Sequence, residues 1–317
     1  MASLPSDTET EHYEHPEPEE GSEGRTPRGV SRGSLALMIA GFALVAAVLI
    51  GALAGLRAFI METPSMGTAA PVGSLVLTAP AQTGDLSVGD IVTFKQDGAT
   101  ETHTHRVISA GSDGVQTKGD INGAPDAGRV DQSRLVGKAF FVSPVLGWVV
   151  KMLPIVVVVL LLGFLFTRRV ENPLSRFRYR VMAFFFGLAV AIAVVKPLFG
   201  AKLLWLRVDD THDPHATASV VSTGLFPVQI VPLEDKGAAS QVLSPTGTVG
   251  EAVSTHLDET GHFVLIPQLA LTPWWWIGLA LFCLTPIVWL GIHARMHRND
   301  PEPDHPADEG PEPEGAA

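Results

Sequence analysis

The sequence predicts a membrane protein with about four transmembrane helices, an outward all-β domain after the first helix and a second small outward β domain before the last. Three observations carry this. Four apolar runs approach or exceed the roughly 20 residues that a helix needs to cross the hydrocarbon core. The arginines gather at those ends of the runs that would share one side of a bilayer. The two long intervening stretches are short runs of Val, Ile, Thr and Phe, broken by Gly, Asp and Pro.

The chain has 317 residues and a formal charge of −11, but that charge belongs to its ends. Residues 1–24 hold eight acidic side chains and no Lys or Arg, and residues 300–317 hold seven and again none. Without those fifteen the remainder carries +4. Stretches such as "HYEHPEPEEGSEG" and "DPEPDHPADEGPEPEG" bury too little apolar area to offset their ordering entropy. Residues 1–33 and 293–317 are therefore expected to be disordered tails, and nothing in them suits nucleic acid.

The first span is expected over 34–60, "LALMIAGFALVAAVLIGALAGLRAFI" from Leu35 on, with Arg57 able to snorkel to the interface. "ALA" at 52–54 would suit signal-peptide cleavage, but the apolar run is longer than an h-region and continues past it, which favours a retained span. The second span, 145–167, centres on "PIVVVVLLLGFLF", with Lys151 near its outer end. The third, 181–200, reads "VMAFFFGLAVAIAVVKPLFG", with Lys196 snorkelling at its outer end. The fourth, 274–292, opens on "WWW", an aromatic cluster suited to the headgroup level. The single cysteine, Cys283, lies in that last run as a small packing residue, so cysteine frames neither a disulfide nor a thiolate metal site.

Arg25, Arg28 and Arg32 precede the first span. Arg168, Arg169, Arg176, Arg178 and Arg180 fill the loop 168–180, and Arg295 and Arg298 follow the fourth span. By the positive-inside rule that side is the cytoplasm of a plasma membrane, and residues 61–144 and 201–273 face outward.

Within 61–144, "SLVLT", "GDIVTFK", "THTHRVISA", "GVQTK" and "RLVGKAFFV" read as strands of a compact β domain. Its reactive side chains are few. Ser65 opens the segment; His103 and His105 share one face of one strand; Asp120 and Asp126 flank the loop "GDINGAPD", which Gly119 and Gly123 allow to turn tightly. A serine hydroxyl needs a neighbouring base to become a nucleophile. An imidazole can accept that proton near neutrality and return it to a leaving amine, and a carboxylate behind the ring fixes its tautomer. Lys118 is an alternative base if buried. By spacing alone, which histidine, which aspartate, and whether Ser65 is more than a linker residue all stay open.

The order and wording of the motifs add to this. "PSMGTAAPVGSLV", "GDIVTF", "THRVI", "TKGDINGAPD" and "LVGKAFFVSPVLGWV" together resemble the membrane-bound signal peptidase I family, in its archaeal and endoplasmic-reticulum form as found in some bacteria. The resemblance covers roughly residues 60–155. It implies Ser65 as nucleophile and His105 as base, in the "HRV" strand where the usual bacterial branch has "KRV". It also implies Asp126 as the partner of His105, with Asp120 as a loop organiser or second acidic contributor. One departure is Thr68 where the family's serine motif commonly carries proline, followed by Ala69 where threonine is common.

The resemblance implies a serine endopeptidase that removes N-terminal signal peptides after small residues. Its partners would be secretory precursors and the lipid bilayer, and it would need no metal or cofactor. A processor dedicated to a few surface or pilus-like proteins, or a non-catalytic scaffold retaining the fold, are the competing expectations. In 201–273, "SVVST", "FPVQIVPL" and "HFVLIPQL" read as strands. "DDTHDPH" at 209–215 has metal-ligand residue types but is expected to be a solvated loop.

Overall fold

The computed structural model describes residues 32–96, 101–209, 215–232, 241–255 and 264–296. The two acidic tails lie almost wholly outside these residues, as does "DDTHDPH" apart from Asp209 and His215. The chain divides into two compact units at Ile50.

Helix α1 runs from Arg32 to Leu53. Its 22 residues give about 33 Å of helix at 1.5 Å per residue. The predicted first span, 34–60, is corrected here. The helix stops at Leu53, Gly55 turns with a φ of 83°, and Arg57–Ile60 forms strand β1. The reason is a partner that the hydropathy of "RAFI" conceals: β1 pairs antiparallel with β2 (Leu75–Ala79), Arg57 opposite Thr78 and Ile60 opposite Leu75.

All five strands expected in 61–144 form. After β2 come β3 (Ile91–Lys95), β4 (Thr102–Gly111), β5 (Gly114–Lys118) and β6 (Leu135–Ser143). With β1 they make one antiparallel sheet in the order β1-β2-β6-β3-β4-β5. Residues alternate across the pleat, so one side of the β3–β5 region packs Val92, Phe94, Val107 and Val115 with Leu86 and Val130. A second cluster, Met61, Met66, Ala70 and Val76, lies under the segment between β1 and β2.

Among the described residues three helices, and not the shorter apolar stretch of α1 (Met38–Leu53), are long and apolar enough to cross a membrane: α2 (Leu146–Thr167), α3 (Pro173–Val195) and α4 (Pro273–Met296). α2 matches the expected span within a residue. α3 begins eight residues before the expected 181, because Asn172 caps it, its side chain accepting from the Leu174 and Ser175 amides, and Pro173 fits the first turn. The basic stretch 168–180 is thus mostly helix, with only a tight link between α2 and α3. α3 ends where Lys196 turns left-handed, with φ 52°, before Pro197. A Cβ on Gly163 would lie 2.6 Å from the Ala183 side chain, so the small residue lets α2 and α3 approach closely.

Between α3 and α4 the expected second β unit is present as two three-stranded antiparallel sheets. One orders β11 (Val249–Ser254), β8 (His215–Ser222) and β7 (Ala201–Asp209); the other orders β10 (Val242–Leu243), β9 (Val228–Pro232) and β12 (Leu265–Leu269). Ala218, Val220 and Ala252 from the first sheet and Val228, Ile230 and Leu243 from the second share one core.

Candidate active site

Beyond Ile60 the chain is cross-braced to the start of β2: the Met61 amide donates to the Ser74 carbonyl at 2.9 Å, and the Gly73 amide donates to the Met61 carbonyl at 2.8 Å. Two overlapping turns follow, closed by Gly67 N–H to the Pro64 carbonyl and Ala69 N–H to the Met66 carbonyl. Met66 is fully buried and anchors this turn in the core, which leaves its neighbour Ser65 half-exposed at the lip of a cavity of about 320 Å³.

The loop after β5 grips the same turn. The Ile121 amide donates to the Ser65 carbonyl at 3.0 Å, and Gly119 must be glycine, because a Cβ there would sit 2.8 Å from that oxygen. The nucleophile candidate is therefore held by its own backbone.

His105 lies in β4 opposite Val92 and is buried. Its Nε2 is 3.0 Å from Ser65 Oγ, and its Nδ1 is 2.6 Å from Asp126 Oδ2. A carboxylate only accepts, so Nδ1–H donates to Asp126, and Nε2 is left to accept from the Ser65 hydroxyl. Asp126 is fixed on three further sides. Its Oδ2 accepts from Thr117 Oγ1 at 2.7 Å, its amide donates to the Thr117 carbonyl at 2.9 Å, and its carbonyl accepts from Gln116 Nε2 at 2.6 Å. Phe94 packs its ring edgewise near the imidazole, 6.1 Å between centroids, and limits solvent on that side.

The structure thus brings together Ser65, His105 and Asp126, which are 40 and 21 residues apart in the two links. His103 stands on the same face of β4, 5.9 Å from His105 between ring centroids, and lines the cavity rather than touching Ser65. Asp120 goes elsewhere: both its oxygens pair with Arg106, at 2.8 and 2.7 Å. That bond raises the guanidinium above its already high ordinary pKa, against the opposing effect of burial. Arg106 also donates to the Gly89 carbonyl, so Asp120 braces the loop against the β3–β4 region. Lys118 pairs in register with Arg106 in β5.

Sequence reasoning passed over three residues. Thr63 carries a hydroxyl 3.4 Å from Ser65 Oγ. Thr117 and Gln116 hold Asp126. Only Thr63 had a usable signal, its position two residues before Ser65 in the same exposed segment; the roles of the other two depend on which strand the Asp126 loop folds back along.

The chain matches no known protein-family model, and no curated protein is similar to it at a significant level.

Proposed function

We propose that this protein is a membrane-bound serine endopeptidase that cleaves signal peptides from exported precursors at the outer face of the plasma membrane. The observation that carries the reading is the unbroken relay from Ser65 Oγ through the two nitrogens of His105 to Asp126. Four helices would span, with the arginine-rich ends in the cytoplasm and both β units outside.

In this reading Ser65 Oγ attacks the scissile carbonyl carbon while its proton passes to His105 Nε2. The imidazolium is stabilised by Asp126, which stays ionised. The carbonyl oxygen becomes an oxyanion, and the Thr63 hydroxyl, 3.4 Å from Ser65 Oγ, serves as a donor to it in this reading. Collapse breaks the C–N bond as Nε2 returns the proton to the leaving amine. A water then repeats the sequence on the acyl-enzyme and regenerates Ser65.

A groove of about 450 Å³ supports extended binding of the substrate. It runs between residues 59–63 and residues 101–105, and both edges offer backbone. β1 is the outer strand of the sheet, and β4 pairs with β5 only from Arg106 onward. A peptide lying there would gain main-chain hydrogen bonds on both sides. The short distance in sequence from α1 to Ser65 keeps the hydroxyl near the headgroups, where a cleavage site emerges, and so raises the effective concentration of the two.

The test is cleavage of a secretory precursor in proteoliposomes by the wild type and by Ser65→Ala, His105→Ala and His103→Ala. The first two should lose turnover and the third should retain most of it. Full processing by Ser65→Ala would establish a scaffold instead.

A further inference from the structure

The motif at Ser65 has threonine, not proline, three positions on, and the structure places a piece of the second β unit against that spot. Gly67 is buried from two sides. A Cβ on Gly67 would meet the Ile121 side chain at 2.7 Å. That same Cβ would lie 3.5 Å from the Gly247 carbonyl oxygen, and a Cβ added to Gly247 would lie 2.2 Å from the Gly67 carbonyl oxygen and 2.8 Å from the Thr68 nitrogen. The two backbones are therefore in direct contact.

The turn carrying Gly247 is stiff. The Gly247 amide donates to the Ser222 carbonyl at 2.9 Å, the Ser222 amide to the Thr248 carbonyl at 3.0 Å, and Thr248 Oγ1 to the Pro245 carbonyl at 2.6 Å. Thr246 Oγ1 donates to the Gly224 carbonyl at 2.6 Å. The sheet behind it is tied in turn to the end of α3, through Leu225 N–H to the Pro197 carbonyl and Phe226 N–H to the Leu198 carbonyl, both 2.9 Å. Near the start of α4, Phe226 stacks edgewise on Trp275.

We propose that the second β unit is a positioning element for the nucleophile: Gly247 clamps Gly67 against Ile121 and supplies to the Ser65 turn the rigidity that a proline at 68 would otherwise give. This rests on the reading of Ser65 as nucleophile. The clamp acts through backbone and touches no substrate, so it governs the alignment of Ser65 Oγ with His105 rather than binding. A displacement of about 1 Å in such an alignment costs on the order of a hundredfold in rate.

Two measurements on the full-length protein in proteoliposomes test it. The first is independent of activity. With Cys283 replaced by alanine, Thr68→Cys and Thr248→Cys should be joined by a short bis-maleimide, detected by mass spectrometry of the digest. Absence of that cross-link overturns the clamp even if cleavage is normal. The second is kinetic. Gly247→Ala should lower kcat about a hundredfold and leave KM within about twofold, while Glu251→Ala, on the exposed face of β11, should change neither. Wild-type kcat in Gly247→Ala overturns the proposal while leaving the peptidase reading standing. A wild type that cross-links but cleaves nothing overturns the peptidase reading and with it the positioning role.

Discussion

In the proposed mechanism Asp126 orients the base and Thr63 donates to the oxyanion, so their variants should separate. Asp126→Asn keeps the shape but offers an amide to His105, which favours the wrong tautomer and leaves Nε2 protonated toward Ser65. A loss of about 10³-fold or more in kcat is expected. Thr63→Ala removes one neutral donor near the oxyanion and should cost about 10²-fold, with Thr63→Ser restoring most of it. Single-turnover cleavage of a precursor measures both, and equal losses would contradict the assigned roles. Residue chemistry narrowed the candidates to Ser65, two histidines and two aspartates, and the choice of His105 and Asp126 came from the resemblance carried by "HRV" and "GDINGAPD". The division between Asp120 and Asp126 was less legible. It depends on Arg106, one position beyond His105, pointing to the opposite face of β4 and capturing Asp120 there.

At the scale of elements, the six-stranded sheet is held to α2 by close backbone contact. Gly73 has a φ of 84°, and a Cβ there would fall 2.0 Å from the indole of Trp148, while Gly147 lies against the Gly73 carbonyl. Gly73→Ala should therefore destabilise the protein by about 1–3 kcal/mol, read as a lowered midpoint of thermal unfolding in detergent. A second element-level prediction concerns acid. Partial burial of Asp90 pushes its carboxyl up, but Lys138 and the Ser87 amide outweigh this and hold it below the usual carboxylate range. The folded value lies below the unfolded one of about 3.9, so the bond's stabilisation is full above that pH and is lost as pH falls through the folded value. Unfolding midpoints between pH 5 and 2 should fall more steeply for the wild type than for Asp90→Asn. Strands bounded by Gly, Asp and Pro were legible in the sequence, whereas β1 and β7 were not. "RAFI" and "AKLLWLRVD" follow a helix within a few residues and share its apolar composition, Gly55 and Gly200 notwithstanding, and their pairing partners identify them as strands.

At the scale of the whole molecule, the two β units and the arginine-rich helix ends make one demand on topology. If α2 and α3 both span, the link between them is too short to cross the membrane by itself, so the outer end of α2 and the outer end of α3 share a side. The six-stranded sheet leads into α2 and the second unit leaves α3, so in that arrangement both lie on that side, opposite Arg168 and Arg169. The potential that retains arginine in the cytoplasm then decides which side it is. In a Cys283→Ala background, Ser112→Cys in the exposed β4–β5 turn and Glu251→Cys in β11 should react with a membrane-impermeant maleimide in intact cells. Glu171→Cys, exposed between α2 and α3, should react only after permeabilisation. The reverse pattern would put Ser65 in the cytosol, away from emerging signal peptides. Labelling of Ser112→Cys and Glu251→Cys from opposite sides would break the contact between Gly67 and Gly247, because two units separated by a bilayer cannot touch.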